Sequence, residues 1–172
     1  NSLHDILTEI RATEVSEKSI GLLRDCAHKT IEDKASTHLY THNIQVDTKN
    51  EEALDQLPEK VKRFDAKVKG NKKLIELLEK QVLTEKNLRL KPKARVMFVR
   101  NNFEKGYTNG TVGEILRFHT EGWPVVKLND GREIVAEPEI WSIEDEGGKS
   151  IASFQQVPLR LAWAITVHKS QG

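Results

Sequence analysis

Over the first 35 residues apolar positions return every three or four places, at Leu3, Ile6, Leu7 and Ile10, then at Ile20, Leu22 and Leu23 after Ser16. That period belongs to amphipathic helices, and Ser16 stands where a hydroxyl can cap a helix start, so two or three helices are predicted here. Ser36 to Ile44 is rich in Thr and Tyr and predicts a strand. Asp47 is placed to cap a helix running through Ala53, Leu54 and Leu57 to Pro58. Val61 to Val68 predicts extended chain, and Asn71 a cap for a helix carrying Leu74, Ile75, Leu77, Leu78 and Val82. From Leu88 the period shortens towards two. Strands are predicted over 95–100, 111–118, 125–128, 132–136 and 139–143, separated by Gly, Asn, Asp and Pro. Asp130-Gly131 between Val125-Val126-Lys127-Leu128 and Arg132-Glu133-Ile134-Val135 marks a hairpin. Five short strands in this span predict a small barrel.

Composition alters this picture only in places. The 172 residues can bury one core or two small ones, and no apolar run approaches the roughly 20 residues of a membrane-spanning helix. The single cysteine, Cys26, can form neither an internal disulfide nor a multi-cysteine zinc site, which fits a reducing compartment. The balance of 27 Lys and Arg against 26 acids hides a strong segregation. Residues 59–100 hold fourteen cations against five acids, whereas 1–58 and 101–150 are each acidic by five. Such a block can neutralise phosphates, or it can serve as a solvated helix face.

Candidate chemistry is concentrated in two short polar clusters. The chain ends on Thr166, His168, Lys169, Ser170, Gln171 and Gly172, a set of hydroxyl, imidazole, ammonium and amide donors suited to phosphate oxygens. Its abrupt stop predicts a piece of a larger protein. Thr41-His42-Asn43 forms the second cluster at the end of the first predicted strand, where a local side-chain turn is the plainer reading. Gly147-Gly148-Lys149-Ser150 looks like the end of an ATPase phosphate loop. The glycine that loop requires five residues before its Gly-Lys-Ser would fall at position 143, which is Ile143, and Glu144-Asp145-Glu146 would repel phosphate. A turn leaving the barrel is predicted instead. Asn109-Gly110-Thr111 likewise reads as a turn and not as a glycosylation acceptor, and Trp163 as core. No zinc-like histidine spacing, hydrolase triad or carboxylate pair stands out, so no catalytic or metal-binding residue is expected.

The segment Ala162-Trp163-Ala164-Ile165-Thr166-Val167-His168-Lys169-Ser170-Gln171-Gly172 closely resembles a motif in the second motor domain of superfamily-one helicases of the RecD-like and Pif-like group. Leu39-Tyr40-Thr41-His42-Asn43, Leu90-Lys91-Pro92-Lys93-Ala94-Arg95-Val96-Met97 and Thr108-Asn109-Gly110-Thr111-Val112-Gly113 resemble Pif-type signatures in the order that family has them. The resemblance implies an α+β chain, namely a partial RecA-like α/β domain with N-terminal helices and an inserted Src-homology-3-like barrel. Its parts would be a helical segment at 1–35, the first part of the motor domain with a basic connector at 36–90, the barrel at 91–150 and a return to the motor domain at 151–172.

The same resemblance implies that Thr41, His42, Asn43, Thr166, His168 and Lys169 contact single-stranded DNA, with Gln171 and Gly172 relaying to the nucleotide cleft. It implies a monomeric 5′ to 3′ DNA helicase that uses ATP and Mg2+ together with its remaining motor domain, in the bacterial cytoplasm or in a eukaryotic nucleus or mitochondrion. This sequence has no phosphate loop, acidic magnesium motif or C-terminal arginine motif, so the chain alone is expected to need no cofactor and to hydrolyse no ATP. A non-enzymatic barrel that binds a protein or peptide is the alternative, and it suits the acidic 101–150 stretch.

Overall fold

The computed structural model describes residues 2–27 and 36–167. The chain divides into two compact units, residues 1–36 and 37–172.

In the first unit, α1 (Ser2–Ala12) and α2 (Glu17–Ala27) follow the predicted helical period. Thr13 ends α1 in the left-handed region at φ 59°, and its N–H donates to the Ile10 carbonyl at 3.1 Å. Ser16 caps α2 as its position predicts: Oγ accepts from the Ser19 N–H at 3.2 Å, while the Ser16 N–H donates to the Glu9 carboxylate at 2.9 Å. The Ser16 N–H, with the Ser19 and Ser16 hydroxyls, holds the Glu9 carboxyl below its usual range, the Ser16 N–H being the largest cause.

The second unit opens with β1 (His38–Tyr40), shorter than the predicted strand, and α3 (Asn43–Gln56). Asp47 does not cap this helix. His42 is the N-cap, and the helix begins five residues earlier because its buried stripe is Val46, Asn50 and Leu54, which needs a full turn ahead of Val46. The predicted extended stretch resolves into β2 (Lys62–Asp65) and β3 (Lys67–Lys69). Asn71 caps α4 (Lys72–Gln81), its Oδ1 accepting from the Leu74 N–H at 3.0 Å. A strand absent from the sequence reading, β4 (Asn87–Leu90), pairs antiparallel with β2 and buries Leu88 and Leu90 completely.

Five strands form one antiparallel sheet in the order β11 (Leu159–Leu161), β5 (Arg95–Phe98), β6 (Val112–Phe118), β7 (Pro124–Leu128) and β8 (Glu133–Val135). Among the described residues no ladder joins β8 to β11, so the sheet is open. Asp130-Gly131 makes the β7–β8 turn as its sequence predicts, with Gly131 at φ 89°. Gly113 is where β6 and β7 approach too closely for a side chain. A Cβ there would sit 2.5 Å from the Lys127 carbonyl oxygen and 2.6 Å from Val126 Cγ1.

The last strands stitch the unit together. β10 (Ser150–Gln156) pairs with β3 and with β9 (Glu139–Glu144), β11 pairs with β5, and β12 (Ala164–Thr166) runs parallel to β1. The expected return of 151–172 to the first strand is thus made by β12, after β10 and β11 have joined two other sheets. The main core gathers Leu54, Phe64, Leu88, Leu90, Val96, Phe98, Ile115, Val126 and Leu159, while a separate cluster of Met97, Val99, Ala162 and Ile165 packs β5 against β12. Trp163 is half-buried against the main core, in keeping with its reading as a packing residue.

Candidate nucleic-acid interface

The parallel pair β1–β12 sets Thr41-His42-Asn43 against Thr166. His38 pairs with Ala164, Leu39 with Ile165 and Tyr40 with Thr166. Both strands therefore end at the same edge, and Thr41-His42-Asn43 leaves that edge beside Thr166. In a parallel ladder one residue bonds to the two neighbours of its partner, and the His38 N–H does donate to the Trp163 carbonyl at 2.8 Å. The backbone of Ala164 consequently faces away from β1.

Asn50 satisfies it. From α3, the Asn50 Nδ2 donates to the Ala164 carbonyl at 2.9 Å and its Oδ1 accepts from the Ala164 N–H at 2.9 Å. The side chain is only 5% exposed and works as one more strand residue, fixing helix and strand in one register. Thr37 adds a second tie, its hydroxyl donating to the Ala162 carbonyl at 2.8 Å and accepting from Arg95 Nε at 3.2 Å.

At the edge itself Thr41, His42 and Asn43 are exposed. The Thr41 hydroxyl and His42 Nδ1 are 2.8 Å apart, which couples the hydroxyl to the imidazole. His42 makes no side-chain capping bond and the first turn of α3 carries no acid, so the positive end of the helix is left uncompensated by its own side chains. Thr166, by contrast, is 4% exposed, paired with Tyr40 at the end of β12. His168, Lys169, Gln171 and Gly172 lie outside the described residues.

Behind α3 a polar cavity of about 260 Å³ is lined by Asp47, Asn50, Glu51, Glu85, Arg89 and Arg160. Arg160 is 7% exposed, and its Nε and Nη1 have no hydrogen-bond partner among the described residues. Burial pulls its guanidinium pKa down, and the charges of Glu85 and Asp47 oppose that shift. Sequence reasoning named neither Asn50 nor Arg160. A buried, unpaired cation has no signature in a run such as Val157-Pro158-Leu159-Arg160-Leu161.

The Gly147-Gly148 segment is a tight turn between β9 and β10. The N–H groups of Gly147 and Lys149 donate to Asp145 Oδ1 at 3.0 and 2.9 Å, so the amides a phosphate loop would offer are taken by a carboxylate. Among the described residues no three His, Cys, Asp or Glu side chains are grouped to hold a metal ion, and no helix is long and apolar enough to cross a membrane.

The chain has relatives among known proteins. The ATP-dependent DNA helicase Pif1 of a Psychrobacter strain is 35% identical over 99% of the chain, and human PIF1 is 37% identical over 97%. A solved Bacteroides Pif1 in complex with ADP-AlF4 superposes over 97% of the chain with a TM-score of 0.79 and 30% identity. The chain is homologous to the Pif1 family. No family model matches it. A Bacteroides Pif1 structure bound to single-stranded DNA superposes over 99% of the chain with a TM-score of 0.68 and 30% identity. The chain spans only part of these Pif1 proteins: 34% of the Psychrobacter sequence, 26% of the human one, and 39% and 40% of the two Bacteroides chains.

Proposed function

We propose that this chain is the second-motor-domain portion of an ATP-dependent 5′ to 3′ DNA helicase, and that it grips single-stranded DNA at the shared end of β1 and β12. The observation that carries this reading is the parallel register Tyr40↔Thr166, which sets Thr41-His42-Asn43 beside Thr166, over a hundred residues away in the chain. Ligands of open α/β sheets bind outside the carboxyl ends of their strands, which is where Thr41, His42 and Asn43 lie. Phosphate oxygens would meet the Thr41 hydroxyl, the His42 ring and the free N–H groups opening α3, and His168 and Lys169 would supply further phosphate contacts. Gln171 and Gly172 would couple this grip to the nucleotide cleft. Leu39 and Ile44, 59% and 79% exposed beside the site, suit a surface that further motor-domain chain covers.

In this reading the five-stranded sheet is the Src-homology-3-like insertion, and its meander β5 to β8 with a returning β11 supports that assignment. The insertion would guide the strand or help split the duplex. ATP and Mg2+ belong to the rest of the motor, whose closure around nucleotide alternates the grip of the two domains on the strand. This chain's own residues hold DNA and transmit the closure.

The test is fluorescence anisotropy of a labelled oligothymidine against the chain at two salt concentrations, with the Thr41→Val/His42→Ala pair as comparison. Binding should weaken as salt rises, and the pair should lose about tenfold in affinity, the worth of one charge-assisted hydrogen bond at ~1.5 kcal/mol. Salt-insensitive binding unaffected by the pair, or no binding by folded protein, would refute the reading. An acidic-surface contact with a protein partner through residues 101–150 would then be the better account.

A further inference from the structure

A second cleft lies away from the β1–β12 edge and belongs to no motif discussed above. It has a volume of about 360 Å³ and is bounded by β2, the start of β3, the turn at Gly122 and the end of β10, with Lys62, Arg63, Lys67, Glu121 and Trp123 in its walls. Every second residue from Arg63 to Lys69 is exposed, and three of these four are cations: Arg63, Lys67 and Lys69. None of the three has an ion-pair partner among the described residues, unlike Lys86, Arg89 and Lys93 of the same basic block, which pair with Glu79, Glu51 and Glu59.

Lys62 is held in an unusual way. Its Nζ lies 5.0 Å from the Phe118 ring centroid and 5.7 Å from that of Phe64, so the ammonium is positioned by aromatic faces. The neighbouring turn is shaped to admit it. Gly122 has φ 93°, and a Cβ there would come within 2.7 Å of Lys62 Nζ. Trp123, the next residue, is half-buried against the core and lines the cleft. Two carboxylates also stand at the cleft: Asp65 accepts from Asn87 Nδ2 at 2.7 Å, and Glu121 lies 3.7 Å from His119 Nδ1.

Resting on the reading of this chain as a single-strand DNA-binding segment, we infer that this cleft is a second contact for the same strand, with phosphates on Lys62, Arg63 and Lys67 and an unpaired base against Trp123. Single-stranded nucleic acid is recognised by a cationic track with aromatic platforms, because unstacked bases expose their faces and duplex bases do not. A cationic wall alone would suit an acidic peptide equally well. The indole at the same mouth favours a nucleobase.

Photo-cross-linking of an oligothymidine carrying one 5-iodouracil, followed by mass spectrometry of the tryptic stretch 118–127, tests the site on the intact chain. The expected result is a cross-link on Trp123 that disappears in the Arg63→Gln/Lys67→Gln pair. In anisotropy the pair should also bind about tenfold more weakly and show a salt slope smaller by about two, one for each lost phosphate contact. Both substitutions are at exposed positions, so the fold is kept. Cross-links only at other residues, with DNA binding intact, would overturn the second contact while leaving the β1–β12 grip standing. Displacement of the oligonucleotide from Trp123 by polyglutamate as readily as by unlabelled DNA would mark the cleft as a peptide groove. Absence of any DNA binding would sink the parent reading and this inference with it.

Discussion

Asn50→Leu is expected to destabilise the second unit by about 2–5 kcal/mol, although it replaces a polar residue with a good helix former. The amide of Asn50 is the partner of both the N–H and the C=O of Ala164. Leucine would leave two buried backbone groups unpaired, each costing about 1–3 kcal/mol. Against a typical domain stability of roughly 5–15 kcal/mol the loss is large. Urea unfolding followed by circular dichroism should show a lower midpoint at unchanged slope. The same variant should weaken single-strand DNA binding, because β12 and Thr166 would no longer be held in register with α3 and Thr41. An unchanged midpoint would mean that the clasp is not formed in solution.

The second large effect is expected at Gln156, which is 3% exposed at the end of β10. Its Nε2 lies 2.8 Å from the Phe64 carbonyl, 3.0 Å from that of Glu85 and 3.1 Å from that of Lys86, while Oε1 accepts from the Val157 N–H at 2.9 Å. One amide thus joins β10 to β2 and to the turn before β4. Gln156→Leu removes these bonds and should cost about 2–4 kcal/mol. Gln156→Glu is the sharper test. It would set a carboxylate against three carbonyl oxygens, so its folded-state pKa would rise above the unfolded value near 4.3. The folded state then binds the proton more tightly than the unfolded chain. Stability should fall as pH rises from about 4.3 towards the folded-state pKa and stay low above it. Thermal melts at pH 4 and pH 7 would show this, and a variant equally stable at both would contradict the assigned geometry.

These two residues also mark where the sequence was legible and where it was not. Periodicity and turn chemistry located both N-terminal helices, the Asn71 cap, the Asp130-Gly131 hairpin and the six strands β1 and β5 to β9, because each depends on neighbours in the chain. β4 was missed, since Asn87-Leu88-Arg89-Leu90 is a short alternation hidden beside a helical pattern and its partner β2 lies over twenty residues away. The start of α3 was misplaced because Asp47 is a good capping residue by type, and the burial of Val46 outweighs that preference. Asn50 and Gln156 sit in polar surroundings that look solvent-facing in one dimension, and only tertiary pairing with Ala164 and Phe64 gives them their roles. For the candidate site, the motif residues were assigned by the resemblance to Pif-type helicases, since by type alone Thr41-His42-Asn43 reads as a local turn. The placing of Thr41-His42-Asn43 beside Thr166 depends on a parallel pairing across more than a hundred residues, which local pattern does not encode.

The account stands or falls on whether DNA engages the shared end of β1 and β12. The most direct measurement is an amide nuclear magnetic resonance titration of the isotope-labelled 172-residue chain with oligothymidine. The account predicts that the amides of Thr41, His42, Asn43 and Thr166 shift together and saturably, at the DNA concentration where anisotropy reports binding. Shifts confined to residues 101–150, with 41–43 and 166 unmoved, would contradict it.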